Sequence, residues 1–307
     1  MLDIQDLSIR FTRYTFGLKK KETCVVQGLD LSIAPGQVMA VIGQSGAGKS
    51  LLAHALLGIL PRNAQVEGRV FFKGKPLTPE RLSTLRGREI ALIPQSITAL
   101  NPLLRVGVQV ARAARLSGIS KKDAPTTVNR AFSRYLLQKE VATWFPFQLS
   151  GGMARRVLTA TATVGMADLI LADEPTSGLD PATAKEALGH LRELADTGKA
   201  VLLITHDIEA ALKIADMVTV FCAGTTVEVA SADDFKGLGQ LRHPYTRALW
   251  NALPANSFIG TMKPIERSPN TTGCPFQTCC NEQDAVCGHS TPELKHSSAG
   301  RVRCHHA

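Results

Sequence analysis

The sequence of 307 residues lacks an apolar run long enough to cross a membrane. Its longest run, residues 51 to 60, has ten residues and includes His54, whereas a spanning helix needs about 20. The N-terminus, MLDIQDLSIRF, lacks the basic stretch and apolar core of a signal peptide, so we expect a cytosolic protein. There the seven cysteines are expected to be thiols or metal ligands.

Acidic residues are in the minority, with 26 Asp and Glu against 35 Lys and Arg, for a net charge of +9. Eight of the basic residues lie between residues 105 and 139, where Asp123 is the one acid. The segment has few aromatic residues and no recognisable nucleic-acid-binding motif. We therefore favour a solvated helical face over a nucleic-acid footprint.

Short runs rich in Val and Ile, each bounded by turn residues, predict buried strands of a parallel sheet. They lie at residues 38 to 42, 90 to 93, 169 to 172 and 201 to 205. Between residues 101 and 147 the apolar spacing becomes helical, as in Val106, Val110 and Ala113 and in Val128, Phe132 and Leu136. The pattern indicates an α/β core with an inserted helical subdomain, a small β-rich extension after Phe221 and a loop-like tail from Pro254.

Residues 43 to 50 match the pattern GxxxxGKS, between a predicted strand and a helical run over residues 51 to 58. Glycines in such a loop let backbone N–H groups turn inward around a phosphate at the start of the helix. Lys49 would then reach the β- and γ-phosphates, and Ser50 would bind Mg²⁺. A chance match is the alternative, which the flanking strand and helix disfavour.

Two adjacent acids, Asp173 and Glu174, follow the predicted strand at residues 169 to 172. They would lie at the sheet edge where ligands of open α/β sheets bind. Asp173 can hold Mg²⁺ through water, while Glu174 can polarise an attacking water. The alternative is a pair of solvated acids at the start of a loop.

Ser150, Gly151 and Gly152 precede a helical run over residues 154 to 164. Alone, they indicate no more than an N-cap with a flexible lead-in. Here they are followed by DEPTSGLD at residues 173 to 180, and this order of motifs resembles the nucleotide-binding subunits of ATP-binding-cassette (ABC) transporters. The resemblance covers nearly the whole chain.

The resemblance implies an ABC-type P-loop ATPase core over residues 1 to 235, with the helical subdomain at about residues 97 to 165. Residues 236 to 307 would form a C-terminal extension with a cysteine cluster. ATP and Mg²⁺ are the implied cofactors, with catalytic roles for Lys49, Gln95 of the Q-loop, Glu174 and the switch residue His206. The implied Mg²⁺ ligands are Ser50, Gln95 and Asp173, and the implied nucleotide contacts are Gly43, Ser45, Gly46, Gly48, Lys49, Ser50, Asp173, Ser150, Gly151, Gly152 and the D-loop residue Asp180.

The resemblance also implies partners. A second ABC ATPase subunit, identical or homologous, would pair head to tail with this chain, so that each phosphate loop faces the Ser-Gly-Gly of the other. Two transmembrane permease subunits and, indirectly, an extracytoplasmic solute-binding protein complete the assembly, which places the chain peripherally on the cytoplasmic side of the inner (plasma) membrane. Phe11 and Tyr14 are both candidates to stack on adenine.

The segment His-Pro-Tyr-Thr at residues 243 to 246 resembles the subfamily that powers import of oligopeptides, dipeptides and nickel. Met153 and Ala154 depart from the commonest ABC signature without touching the chemistry. A non-transport ABC protein acting on nucleic acid is the alternative, disfavoured because only 101 positions separate Lys49 from Ser150. A metal-sensing module on an inactive ATPase is disfavoured by the intact motifs.

Five of the seven cysteines lie in the last 34 residues, without a CxxC pair. The resemblance implies a [4Fe-4S] cluster held by Cys274, Cys280, Cys287 and Cys304, with zinc or no metal as alternatives. The neighbouring Cys279 leaves the choice of ligand within that pair open. Cys24 and Cys222, in apolar surroundings, are expected to be buried structural thiols.

Overall fold

The computed structural model describes residues 1–14, 19–236, 240–254, 256, 273–297 and 300–307. It divides the chain into two compact units. The first unit is formed by Met1–Ile33, Met39–Leu77 and Thr205–Ala307, and the second by Ala34–Val38 and Thr78–Ile204.

The strands are β1 (Leu2–Tyr14), β2 (Lys20–Ile33), β3 (Val38–Gly43), β4 (Ala64–Phe72), β5 (Lys75–Pro76), β6 (Ile90–Ile93), β7 (Leu169–Asp173), β8 (Ala200–Ile204), β9 (Met217–Cys222), β10 (Thr225–Ser231), β11 (Lys295–Ser297) and β12 (Gly300–Val302). The α-helices are α1 (Lys49–Leu57), α2 (Pro79–Leu85), α3 (Val106–Leu116), α4 (Ala124–Arg134), α5 (Gly151–Thr163), α6 (Pro181–Asp196), α7 (Ile208–Leu212), α8 (Pro244–Asn251) and α9 (Ala285–His289). The four strands and the two helical runs predicted from the sequence are confirmed, with small shifts at their ends.

The first unit contains an antiparallel sheet in the order β2-β1-β4-β5 and the strands β11-β12-β10-β9-β3. β3 is parallel to β9, and it is buried along its whole length. Sequence analysis assigned no strand to the first 37 residues. The physical reason is that β1 changes register between Ile4 and Leu7 and again before Ile9, which breaks the two-residue alternation of buried side chains.

The second unit contains the parallel strands β8-β7-β6, with β7 in the middle and buried throughout. Helices α3, α4 and α5 share an apolar core that includes Val106, Val110, Phe132 and Val157. The eight basic side chains between residues 105 and 139 are all exposed.

Part of the predicted helical spacing is wrong. Leu136 is 65% exposed and has a left-handed φ of 52°, because α4 ends at Arg134 and the next buried side chain is Leu137. On α3 the buried position is Ala114, and the predicted Ala113 is half-buried.

The prediction of a loop-like tail is also wrong for its described part. Residues 273–297 and 300–307 include α9, and β12 pairs with both β10 and β11. Arg303 fixes this end of the chain by donating to the carbonyl oxygen of Gly28 (2.9 Å) and to the carboxylate of Asp30 (3.0 Å). Within the described residues, no helix has the length and apolar character needed to cross a membrane.

Candidate active site

The glycine-rich loop connects the buried strand β3 to helix α1 in the first unit. A side chain at Gly43 would lie 2.3 Å from the carbonyl oxygen of Phe221, and Gly48, with a φ of 90°, would need left-handed backbone from any replacement. Ser45 and Gly46, by contrast, are exposed at the tip, and a Cβ at Gly46 would meet nothing within 4 Å. The loop is therefore packed tightly at both ends and open in the middle, as a phosphate cradle requires.

Lys49 is nearly buried, and its ammonium group donates to the carbonyl oxygens of Gly43 (2.8 Å) and Gln44 (2.9 Å). A buried ammonium held across the mouth of such a loop is a strong positive centre for phosphate oxygens. Ser50 follows it in the first turn of α1. The loop, its lysine and its hydroxyl therefore fit a nucleoside triphosphate with Mg²⁺.

A residue far along the chain supports this loop. The hydroxyl of Tyr245, in the His-Pro-Tyr-Thr segment, accepts a hydrogen bond of 3.4 Å from the backbone N–H of Gln44. The Tyr245 ring is fully buried and packs edge-on against Phe276, with 5.4 Å between ring centres. Sequence analysis quoted the segment for its resemblance but gave Tyr245 no role at the loop.

His243 is the N-cap of α8, and its Nδ1 accepts the backbone N–H of Tyr245 at 3.0 Å. Burial and, to a smaller extent, the nearby charge of Arg247 lower the pKa of His243 to about 3, so the ring is neutral. The backbone N–H of Arg242 and that of His243 each donate to one oxygen of the buried Glu228 carboxylate on β10. The segment is thereby fixed to the same unit as the loop.

The switch residue His206 lies in the first unit, directly after Thr205, whose backbone N–H donates to Val41 of β3 at 3.1 Å. The Thr205 hydroxyl in turn accepts the N–H of Asp207. This places the exposed His206 near the carboxyl end of β3, where the glycine-rich loop also begins.

In the second unit, Asp173 ends β7 and Glu174 follows, and both side chains are almost fully buried. Glu174 adopts a left-handed φ of 48°. Non-glycine residues rarely adopt this conformation, and residues that do are enriched at functional sites. The N–H of Glu174 donates to Ile204 at 2.8 Å, so the backbone is fixed where the carboxylate leaves it.

Ser150 is the N-cap of α5, and its hydroxyl accepts the N–H of Met153 at 3.2 Å. A Cβ at Gly151 would meet nothing within 4 Å, and one at Gly152 only Leu179 at 4.0 Å. The start of α5 therefore presents an open backbone, which suits an approaching phosphate. Ser150 is thus an N-cap, as its sequence context alone predicts, and an N-cap at this place is compatible with phosphate binding by the start of α5.

Asp180 is exposed and is the N-cap of α6. Its carboxylate accepts the hydroxyl of Thr183 at 2.6 Å and the backbone N–H groups of Ala182 and Thr183 at 3.1 Å. These hydrogen bonds, led by that of the Thr183 hydroxyl, hold the pKa of Asp180 below its ordinary value.

Gln95 is exposed after β6, and its backbone carbonyl oxygen accepts a hydrogen bond from Arg155 of α5 at 3.1 Å. Sequence analysis did not single out Arg155. Of the two aromatic candidates for adenine, Phe11 is half-buried on β1, and Tyr14 is 66% exposed with the Lys20 ammonium 5.8 Å from its ring centre. The choice between them stays open.

The tail brings its cysteines together. Cys274, Cys287 and Cys304 are buried, Cys280 is half-buried and Cys279 is exposed. Burial and, to a smaller extent, the nearby thiols of Cys304, Cys287 and Cys280 raise the pKa of Cys274 to about 11. The four predicted ligands are thus neighbours, whereas Cys279 does not contribute to this effect. Cys222 is buried as expected, but Cys24 is only half-buried, on β2.

A second possible metal site overlaps the first. Asp284, Cys287 and His306 have donor atoms that all lie within 4.8 Å of one another, an arrangement that the four sulfurs do not reach in the described part of the chain. His306 Nε2 lies 3.6 Å from Cys287 Sγ and 3.5 Å from an Asp284 oxygen. A tetrahedral Zn²⁺ with a Zn–S bond of about 2.3 Å and a Zn–N bond of about 2.1 Å would separate sulfur and nitrogen by about 3.6 Å.

Comparisons with known proteins decide the family. The family model "ABC transporter" matches residues 26–177, and the model "Oligopeptide/dipeptide transporter, C-terminal region" matches residues 227–287. The oligopeptide transport ATP-binding protein OppD of Salmonella typhimurium is 34% identical, with 99% of this chain and 92% of the relative covered. The chain belongs to the ABC transporter ATP-binding subunits.

Other relatives agree with this assignment. The dipeptide transport ATP-binding protein DppD of Bacillus subtilis is 33% identical over 99% of this chain and 94% of its own length. A dimeric ATP-binding cassette, MJ0796, solved in a post-hydrolysis state with ADP and phosphate, superposes with a TM-score of 0.66. It is 25% identical, and 76% of this chain and 99% of that structure are covered. The fold is that of the ABC ATPases, and this ABC subunit is an ATP-hydrolysing enzyme.

Proposed function

We propose that this ABC subunit hydrolyses ATP on the cytoplasmic face of the plasma membrane to power the uptake of peptides. The observation that carries the proposal is the buried Lys49 held across a glycine loop that Tyr245 of the His-Pro-Tyr-Thr segment supports. That segment lies within the region matched by the oligopeptide and dipeptide transporter model. Nickel or a metal chelate remains the alternative cargo, because no feature of an ATPase contacts the transported solute.

In the proposed reaction the loop from Gly43 to Gly48 surrounds the phosphates and Lys49 binds their β- and γ-oxygens. Ser50, Asp173 and Gln95 would hold Mg²⁺, which neutralises charge on the phosphates. Glu174 accepts a proton from the attacking water, and general-base assistance of this kind is worth about 10² to 10⁴ in rate. His206 orients that water, and Asp180 belongs to the nucleotide site through the D-loop.

The second half of the site comes from a partner subunit. Since α5 begins with an open backbone at Ser150, Gly151 and Gly152, we propose that its N–H groups bind the γ-phosphate of a nucleotide held by a second ABC subunit. The solved neighbour of 25% identity is described as dimeric. One chain alone would then hold only half of each reaction centre.

We further propose that the permease subunits dock on an apolar surface of the second unit. Leu103 and Phe147 are 82% and 77% exposed. Phe147 stacks on Phe145 with 5.7 Å between ring centres, and the Arg105 guanidinium lies 5.9 Å from the Phe145 ring centre. Exposed apolar patches of this kind mark interaction sites on soluble proteins.

We also propose a division of the chain into two domains: an ATPase core over residues 1 to 235 and a C-terminal extension over residues 236 to 307.

The test of the cargo is reconstitution in liposomes with the permease subunits, the partner ATPase and the solute-binding protein. We expect peptide-loaded binding protein to stimulate ATP hydrolysis, and Lys49→Ala to abolish it. Stimulation by a nickel chelate but by no peptide would replace the proposed substrate, and stimulation by nucleic acid without permease would remove the transport function.

For the tail we propose a [4Fe-4S] cluster bound by Cys274, Cys280, Cys287 and Cys304. Four neighbouring thiols, three of them buried, fit such a group, since iron–sulfur clusters are held by cysteine thiolates. The group would cross-link separate segments of the tail to one another, because all four ligands lie between residues 274 and 304. Zinc at Asp284, Cys287 and His306 is the second candidate, favoured by the distances given above.

Metal analysis after anaerobic purification separates the two candidates. We expect brown protein with iron and sulfide, whose colour dithionite bleaches. Cys280→Ser should lose the colour, and the matched control Cys279→Ser should keep it. Colourless protein with one zinc per chain, lost in His306→Ala, would establish the zinc site instead.

A further inference from the structure

Arg155 joins two segments of the second unit that the proposed reaction uses. It is the fifth residue of α5, and its guanidinium donates to two backbone carbonyl oxygens from different parts of the chain. One nitrogen donates to Glu174 at 3.0 Å, and the other donates to Gln95 at 3.1 Å.

The Glu174 end of this bridge is a backbone that needs support. Glu174 has its left-handed φ of 48°, which a residue with a Cβ adopts only where its surroundings enforce it. Its carbonyl oxygen accepts the N–H of Ser177 at 3.2 Å in addition to Arg155, and its own N–H donates to Ile204. The peptide groups on both sides of Glu174 are therefore held, and they fix the direction in which its side chain leaves the backbone.

The Gln95 end is different, because Gln95 is exposed and follows β6. Its carbonyl oxygen is bound by the half-buried Arg155. Burial lowers the pKa of Arg155, an effect that the charge of Glu174 only partly offsets, and the guanidinium is still a cation at neutral pH because arginine titrates far above it. A displacement of the segment at Gln95 would pull on the same rigid group that holds Glu174.

Arginine suits this bridge for a geometric reason. Its planar guanidinium presents donors in a fixed fork, so one side chain can bind two carbonyl oxygens in two directions. A lysine ammonium keeps the charge but is a single point at the end of a flexible stem. Comparing arginine with lysine at position 155 therefore distinguishes a bridging role from a purely electrostatic one.

We propose that Arg155 is a positioning residue that couples the segment at Gln95 to the catalytic carboxylate of Glu174. It touches no reacting atom, and it transmits a movement of the Gln95 segment, when the permease shifts it, to the backbone of Glu174. The inference rests on the proposed roles of Gln95 and Glu174.

The experiment compares Arg155→Lys and Arg155→Gln in the transporter complex purified with its permease subunits. The matched control is Arg130→Gln, an exposed arginine of α4 in the same unit. We expect both Arg155 variants to lower kcat by about 10- to 100-fold, because small misplacements of a reacting group cost this much. KM for ATP and equilibrium MgATP binding should stay within about twofold, and the stimulation of hydrolysis by permease and cargo should be lost.

Wild-type kcat and stimulation in both variants would overturn the proposal. Full rescue by Arg155→Lys would replace bridging by a charge effect and overturn it as well, and so would a parallel loss of MgATP binding, kcat and Tm, which indicates a structural role. Glu174→Gln is measured alongside: normal turnover in that variant would refute the proposed role of Glu174, which is a failure distinct from that of Arg155.

Discussion

Replacing Glu174 by Gln tests the chemistry of the site with little change in its structure. Backbone hydrogen bonds hold the residue in place, through its N–H to Ile204 and through its carbonyl oxygen, which accepts from Arg155. Glutamine has nearly the same shape, so both contacts and the left-handed conformation should persist. What the substitution removes is the carboxylate that accepts a proton from water.

The magnitude follows from the step that is lost. General-base catalysis contributes about 10² to 10⁴ in rate, which corresponds to about 2.7 to 5.5 kcal/mol in the activation barrier. We therefore expect Glu174→Gln to lower turnover at least about 100-fold while MgATP still binds. Because the bound ATP is then no longer hydrolysed, ATP-bound dimers should accumulate.

Phosphate release, equilibrium binding of a fluorescent ATP analogue and size-exclusion chromatography with MgATP measure these three effects. The control is Glu193→Gln on α6, whose exposed carboxylate pairs with Arg134 at 3.1 Å and should contribute little. Near-normal hydrolysis by Glu174→Gln would refute the assignment of the base. Loss of both binding and thermal stability would show that the carboxylate is needed for folding instead.

Three further substitutions test other parts of the molecule. Lys49→Ala removes the ammonium at the mouth of the loop, so MgATP binding in a fluorescence titration should fall below detection; unchanged binding would exclude the loop as the phosphate site. Tyr245→Phe removes the hydroxyl that accepts the Gln44 N–H, so the free energy of unfolding in urea should fall by about 0.5 to 1.5 kcal/mol, and an unchanged midpoint would show that the bond contributes nothing. Phe132→Ala opens a cavity in the core of α3, α4 and α5 and should cost about 3 to 5 kcal/mol; a loss below 1 kcal/mol, measured by the same titration, would contradict the packing.

The phosphate loop and the strands around it were predictable because their signals are local. The strands β3 and β7 are continuous apolar runs, as expected of strands buried on both faces, and each is followed at once by its polar motif. Lys49, Asp173 and Glu174 could therefore be placed at strand ends from the sequence alone. The long strands β1 and β2 could not, because their register shifts interrupt the alternation that marks a half-buried strand.

The fold of the tail and the role of Tyr245 could not be predicted from the sequence for another reason. The hydrogen bond of Tyr245 to Gln44 joins residues 201 positions apart, and no local pattern encodes it. The sequence of the tail predicts a loop because its strands β11 and β12 are only three residues long, and β12 gains its second partner from the distant β10. Leu136 shows the opposite error. Its helical spacing from Phe132 predicts a buried position on the same helix, but α4 already ends at Arg134.

Turnover measured against the state of assembly tests the central claim most directly. The isolated monomer should bind MgATP but hydrolyse it negligibly, and phosphate release should appear when the second ABC subunit is added in stoichiometric amount. A monomer that fails to bind MgATP, or that hydrolyses it as fast as the assembled pair, would contradict the account.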